Sequence, residues 1–490
     1  MEIMSFVFKL FQGGLGNLAA YLAAHVLLCL VPAFFIAGGM TALIPKSAIT
    51  RFLGRNTPKF ISYPASALAG SVLAVCSCTI VPLFAGIYKK GAGLGPAITF
   101  LFFAPAANIL ALVYTGGIIG VDLAFARLFL SLAFGIGIGM IMALIFSRED
   151  AEHDKATDEL FAGHGSMSRP ALIFLLILVA LLLAGTLKLA VFTNVYAQVT
   201  LPIPGMDRLQ SFLYQLVPFD PSKGEEGVTA QGAILIGLLI LIGLTAWRGL
   251  ENILDGFNAW ARVALGLVVL TLLVAAARMT PHVGGLDIGL TGRMVGVGLA
   301  ILILAWIARA RLEPSQVQEW LWESWRFVKQ IFPLLVAGVF AVGVIRQLIR
   351  PEWIEALAGR NSITGNLAGV LFGVFMYFPT LVEVPIAQMF LSLGMHRGPL
   401  LAYLMADPEL SLQSILIIST IIGRLKAWTY VAWVALFSTL AGLIYGAWVD
   451  GARLWQIALY LAAFLGLLAL SLYLVNQRNL RKASPARSAA

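Results

Sequence analysis

The chain has 490 residues and a formal net charge of +9; 60% of it is hydrophobic, only 12% is charged, and its mean hydropathy is +0.91. A soluble domain carries about 25% charged residues, so this composition excludes a soluble globular protein and requires a polytopic membrane protein. The excess of basic residues is then a matter of loop topology and anionic lipid, not of nucleic acid, and three cysteines exclude a disulfide framework.

In chain order, the first apolar run extends from about Asn17 to Ile44, with Lys9 the one early basic residue. It is too long for a signal-peptide core and predicts an uncleaved first helix. Further apolar segments follow near 61–88, 94–120, 121–147, 170–193, 231–247, 258–278, 292–309, 330–349, 364–394, 397–423, 427–448 and 454–475. Between them, 147–169 reads as a solvated loop and 193–227 as an extramembrane insert. Residues 310–331, basic and rich in tryptophan, read as an interfacial amphipathic helix.

Shifting the sequence by 303 residues reveals an internal repeat. Gly70 meets Gly373, Pro82 meets Pro385, Gly91 meets Gly394, and Gly95-Pro96 meets Gly398-Pro399. Pro105 meets Pro408, Gly120 meets Gly423, and Gly139 meets Gly442. Upstream, Gly54-Arg55-Asn56 matches Gly359-Arg360-Asn361 and Pro32 matches Pro333. Residues that dictate backbone path coincide, which argues for a shared fold. The chain divides into a first membrane repeat (1–147), a charged loop with a four-helix insertion and interfacial helix (148–329), a second repeat (330–448), an appended helix (449–475) and a basic cytoplasmic tail (476–490).

Segments 61–88 and 364–394 each hold an interruption. Two arms of roughly 10 residues reach only the bilayer midplane and return. If both segments are such hairpins, 21 Lys and Arg fall on the inner side and 10 on the outer; if both cross, the split is 17 to 14. The positive-inside rule favours hairpins. The expected fold is an all-α polytopic membrane protein of two inverted repeats with re-entrant hairpins or broken helices, about 11 full spans plus two hairpins. Its N-terminus lies outside and its C-terminus inside.

Inverted repeats with broken helices characterise secondary transporters, whose site lies where the interruptions meet. Breaks are expected at Cys76–Pro82, Ala104–Asn108, Pro379–Pro385 and Ala406–Ser411, with Pro82, Pro105, Pro385 and Pro408 as the backbone interrupters. No GxxxxGK[ST] loop is present, which argues against direct ATP use. No cofactor and no catalytic residue are called for. In an extended segment Cys76 and Cys78 share a face and offer two thiolates to a soft metal or metalloid, with Cys29 as a third ligand; buried cysteine is also commonly an inert small hydrophobe. Thr79, Asn108 and Thr380 are candidate substrate contacts, though polar groups at breaks often only cap freed backbone.

Glu383, Asp407 and Glu409 are expected inside the bilayer, where acids are costly and are often proton carriers; pairing with Arg424 or Lys426 is the structural alternative. Arg127 and Lys188 read as snorkelling or locally paired, and His25 as a packing residue. The glycines of "GIGIGM" (135–140) read as helix-packing positions.

The stretch "CSCTIVPLFAGIYKKGAGLGPAITFLFFAPAANILALVYT" (76–115) resembles the signature region of the YraQ-like predicted permeases, a family that includes the ArsP efflux permeases for trivalent organoarsenicals. The resemblance rests on Cys-x-Cys, Pro82, Gly91, Gly95-Pro96 and Ala104-Pro105-Ala106-x-Asn108, and extends more loosely over both repeats. It implies a bacterial inner-membrane permease whose Cys76 and Cys78 handle a soft, thiol-reactive solute. The chain is longer than typical members, with extra segments between the repeats. Its expected partners are that small solute and the lipid bilayer, with no nucleic acid; assembly into a homo-oligomer is left open. A membrane thiol oxidoreductase passing electrons through Cys76 and Cys78 is the competing reading.

Overall fold

A computed structural model of the chain describes residues 2–24, 26–72, 77–161, 168–186, 190–217, 227–348, 352–375, 383–453 and parts of 455–473. The first repeat comprises α1 (Glu2–Ala24), α2 (Val26–Leu43), α3 (Lys46–Leu53), α4 (Lys59–Val72), α5 (Ser77–Lys89), α6 (Leu94–Ala106), α7 (Ile109–Ile118) and α8 (Val121–Ile145). The middle region holds α9 (Ser147–Phe161), α10 (Arg169–Thr186), α11 (Ala190–Thr193), β1 (Val195–Leu201), α12 (Met206–Leu216), α13 (Ala230–Gly249), α14 (Ala259–Ala276), β2 (Arg278–His282), β3 (Gly285–Thr291) and α15 (Gly292–Ala310). The second repeat comprises α16 (Pro314–Arg346), α17 (Glu352–Ala358), α18 (Ile363–Phe375), α19 (Glu383–Ser392), α20 (Arg397–Ala406), α21 (Leu412–Ile422) and α22 (Arg424–Val449).

The apolar segments fold as helices because only helices satisfy every backbone group in lipid. The four insertion segments appear as α10, α13, α14 and α15. Three of them start on a side-chain cap: Thr229, Asn258 and Thr291 each accept from the backbone N–H three residues on. Among the described residues, seven helices are long and apolar enough to cross a membrane, or eight if a bent pair at 30–53 counts as one. That is fewer than the eleven full spans expected. Of the remaining segments, 397–423 is divided between α20 and α21, while 18–44, 170–193 and 454–475 each include residues outside the described ones.

Three expectations need correction. The stretch 147–169 is helical as far as Phe161, and α9 is fastened to the first repeat. Asp150 Oδ1 accepts from Leu94 N at 2.9 Å and pairs with Arg55 at 3.7 Å, while His153 stacks on Tyr88 with centroids 4.2 Å apart. Burial pushes the Asp150 carboxyl above its ordinary range, against the pull of that N–H and of Arg55. The stretch 310–331 is not a separate interfacial helix. It forms the first half of α16, a 33-residue rod about 50 Å long, opened by a capping box between Glu313 and Gln316. Lastly, the insertion is not all helix. Strands β1, β3 and β2 form an antiparallel sheet in that order, with Val195 to Leu201 paired along Thr291 to Leu286.

Helices α8 and α22, which the shift of 303 residues sets in register, pack antiparallel. At one end of the seam between α8 and α22, Asp122 pairs with Arg397 at 2.9 Å and accepts from Tyr445 Oη at 2.7 Å. At the other end Lys426 pairs with Glu149 at 3.1 Å, and between them Phe134 meets its own counterpart Phe437, centroids 4.9 Å apart. Along α16, Trp320 donates to Phe35 O and Asn17 donates to Val339 O, so α1 and α2 run against it in reverse.

Each interrupted pair returns to the end where it began. Gly93 N donates to Leu53 O at 2.8 Å, closing the base of α4–α5; His396 N donates to Ala358 O at 2.9 Å, closing the base of α18–α19. The first base lies beside Asp150, just past the end of α8, and the second beside Asp450, just past the end of α22. Since α8 and α22 are antiparallel, the two bases lie at opposite ends of the bundle.

The repeated glycines occupy equivalent close approaches. A Cβ on Gly70 would lie 3.0 Å from Ala104 N, and one on Gly373 would lie 2.8 Å from Asp407 N. Gly91 and Gly394 turn with φ of +89° and +90°, a conformation that suits only glycine. Gly373→Ala is therefore expected to destabilise the protein by about 1–3 kcal/mol through overpacking. A thermal melt in detergent checks this as a drop of several degrees.

Candidate functional site

The α6–α7 break of the first repeat and the start of α19 in the second are tied together inside the bundle. Helix α7 restarts the chain after α6 with Asn108 as its cap: Oδ1 accepts from Ala111 N at 2.8 Å, while Nδ2 reaches Pro105 O at 3.3 Å. At the equivalent place Ser411 caps α21, accepting from Ser414 N. Pairing then crosses between repeats: α7 packs against α19, and α5 packs against α21. The N-terminal N–H groups of α7, capped by Asn108, and of α21, capped by Ser411, favour negative charge beside these two breaks.

A wholly buried arginine sits in this junction. On α8, Arg127 donates through Nε to Ala106 O at 2.6 Å, through Nη1 to Thr115 Oγ1 at 3.2 Å and through Nη2 to Glu383 Oε1 at 2.5 Å. It ties the α6–α7 break of its own repeat to the start of α19 in the other. The expectation that Arg127 snorkels or pairs locally is therefore corrected, since its partner lies 256 residues away. At the position equivalent to Arg127, Tyr430 on α22 donates to Glu409 Oε2 at 2.8 Å. Glu409 lies within electrostatic reach of both Glu383 and Arg127.

The cluster crosses the bundle. Arg127 lies seven residues before Phe134 and Tyr430 seven before Phe437, so on antiparallel helices the two are separated by about 20 Å along the axis. Glu383, Asp407 and Glu409 are all buried. Glu383 has a countercharge in Arg127, whereas the donor to Glu409 is a neutral phenol. The expected alternative of pairing with Lys426 does not hold, because that ammonium lies at the bundle end on Glu149.

Thr79 is buried in the first turns of α5. Cys78 belongs to that same turn and Cys29 to α2, but both side chains, with Cys76 and Thr380, lie outside the described residues. The stretch from Ser77 to Pro82, expected to be extended, is helical, and Pro82 stands inside α5. Pro385 falls in the first turn of α19, while Pro105 and Pro408 flank their breaks as expected. Among the described residues no three His, Cys, Asp or Glu gather as a metal site. Sequence reading missed Arg127 and Tyr430 as members of this cluster. The repeat shift carried a signal for both, because it sets two hydrogen-bonding side chains at equivalent positions of α8 and α22.

The profile of the ArsP_1 family, described as "Predicted permease", matches residues 13–447, both repeats and the insertion included. The chain belongs to this family. The UPF0718 protein MJ0584 of Methanocaldococcus jannaschii is 32% identical over 453 residues, covering 91% of this permease and 98% of the archaeal chain. The UPF0718 protein YraQ of Escherichia coli is 28% identical over 118 residues, 24% of this permease and 34% of its own length. No solved structure matches. Because the archaeal relative aligns over nearly its whole length, the long middle region of the permease is not an addition private to this chain.

Proposed function

We propose that the permease is a proton-coupled secondary transporter of the cytoplasmic membrane, built from two inverted repeats, which exports a small, soft, thiol-reactive solute such as a trivalent organoarsenical or a metal or metalloid species. The observation that carries the reading is the buried cluster at the crossing of the repeats, where Arg127 of one meets Glu383 of the other. An arginine and three acids in an apolar interior are costly to fold around, and membrane proteins keep such groups chiefly along substrate and ion paths. Antiparallel packing of equivalent helices, with interrupted pairs opening at opposite ends, supports alternating access around this locus.

In this reading Cys76 and Cys78 take the soft atom of the solute at the tip of the first interrupted pair. Thr79, Asn108 and Thr380 line the path, and Cys29 is a further thiol on α2. Glu409, Asp407 and Glu383 exchange protons, with Arg127 as the fixed positive charge. The N-terminus lies outside and the C-terminus inside.

The test is methylarsonous acid resistance and efflux in cells carrying Cys76→Ser/Cys78→Ser. A rise in cellular arsenic to the level of cells lacking the permease is expected, at wild-type membrane abundance. Unchanged efflux in the double variant would remove the thiols from the path, and no efflux by the wild type would remove the solute class.

A further inference from the structure

Two three-helix bundles meet along α8 and α22: α4, α6 and α8 of the first repeat, and α18, α20 and α22 of the second. Inside each bundle the helices approach closely at glycines. A Cβ on Gly139 would lie 2.6 Å from Gly95 O, and one on Gly442 would lie 2.6 Å from Gly398 O. Contacts this tight leave the helices of a bundle no freedom to slide, so each bundle moves as a unit. The seam between the bundles is looser. A Cβ on Gly137 of α8 would stand 3.8 Å from the Phe437 ring of α22, an ordinary van der Waals distance.

The seam is fastened at its middle and at both ends. Phe134 meets Phe437 at the middle, with both rings buried. Phe134 lies twelve residues after Asp122 and twelve before Phe146, about 18 Å along the helix each way. At one end Arg397 holds both oxygens of Asp122, at 2.9 and 3.3 Å. At the other, Lys426 pairs with Glu149 at 3.1 Å and lies 5.9 Å from the centre of the Phe146 ring. Each pair joins the two repeats. Each also reaches water, since the Asp122 side chain is 32% exposed and that of Glu149 51%. Ion pairs this exposed add little to folding, so either can part while the fold survives.

Both pairs stand about one helical turn from the buried cluster. Asp122 lies five residues before Arg127 on α8, and Lys426 lies four before Tyr430 on α22. The Asp122 end therefore leads to the Arg127–Glu383 pair, and the Lys426 end to the Tyr430–Glu409 pair. Helix α9 carries Glu149, and Asp150 and His153 fix that helix to the first repeat through Leu94 N and Tyr88 O. Glu149 thus moves with the first bundle.

We propose that the two ion pairs are opposed gates, worked against each other across Phe134 and Phe437. Parting Asp122 from Arg397 turns one bundle on the other and presses the Lys426–Glu149 end closed; parting Lys426 from Glu149 does the reverse. The proposal deepens the permease reading above and rests on it. With both pairs made, the structure is the state closed at both ends.

The experiment is hydrogen–deuterium exchange of wild type, Arg397→Gln and Lys426→Gln in lipid nanodiscs, without solute. In Arg397→Gln, exchange is expected to quicken about two- to fivefold over 119–126 and 394–400. Over 86–95 and 423–430, at the opposite end, it is expected to fall below that of wild type. Lys426→Gln is expected to give the mirror image, so one variant decides if the other fails to fold. Glu149→Lys/Lys426→Glu, which re-forms the pair with its signs reversed, is expected to return both ends to wild-type exchange. A change confined to the substituted end would make the pairs ordinary surface contacts and overturn the proposal, and faster exchange at both ends would overturn it as general loosening. Methylarsonous acid flux in wild-type proteoliposomes tests the permease reading separately. Flux without reciprocal exchange leaves the permease standing and removes the gates; absence of flux removes the reading on which the gates rest.

Discussion

Arg127→Met alone is expected to lose about 3–5 kcal/mol of stability, the usual cost of removing one partner from a buried pair and stranding the other. Glu383 would keep a buried carboxylate whose Arg127 contact at 2.5 Å is gone, and the Ala106 carbonyl would lose its donor. Arg127→Met/Glu383→Gln removes both charges and is expected to recover most of the folded yield, because a neutral pair of similar volume leaves no uncompensated ion. Fluorescence-detected gel filtration and thermal melts of the two single variants and the double variant check this. A double variant no more stable than Arg127→Met would show that the arginine acts through Ala106 and Thr115, not through Glu383.

Glu409→Gln is expected to act on transport and not on the fold. The amide oxygen of glutamine still accepts from Tyr430 Oη, so the contact that holds the side chain survives. What is lost is a group able to take and release a proton within reach of Glu383 and Arg127. The expected result is proton-driven efflux slowed on the order of 100-fold, equal to about 2.7 kcal/mol at the barrier, with a melting temperature within two or three degrees, roughly, of wild type. Accumulation of methylarsonous acid in everted vesicles under an imposed pH gradient measures the first, and a detergent melt the second. Full pH-driven efflux by Glu409→Gln would move the coupling to Asp407 or Glu383.

The contrast between these variants reflects what was legible in the chain. Hydropathy located the helices because lipid imposes a single solution on apolar segments. The repeat was legible because glycine and proline dictate backbone geometry. Gly70 and Gly373 admit the same neighbours, Ala104 and Asp407, and only residues without a Cβ allow it. The Arg127–Glu383 pair was not legible, since neither residue carries local information about a partner so far along the chain. Helix α9 was misread because "SREDAEHDKATDELF" is polar on every face, and its order comes from Asp150 and His153 docking on another element. The strands escaped notice because they are short and follow helical segments directly; "VGG" between β2 and β3 was the one local turn signal. Cys76 and Cys78 were picked out on chemistry alone, and their role stays with the efflux assay.

The central claim is that solute and protons share the buried cluster where the repeats cross. Proteoliposomes holding a lumenal pH dye test it most directly. When a methylarsonous acid gradient is imposed across wild-type membranes at zero potential, the account predicts a proton flux opposite to the solute flux, abolished in Glu409→Gln. Solute movement of the same size in wild type and variant, with no change in lumenal pH, would contradict it.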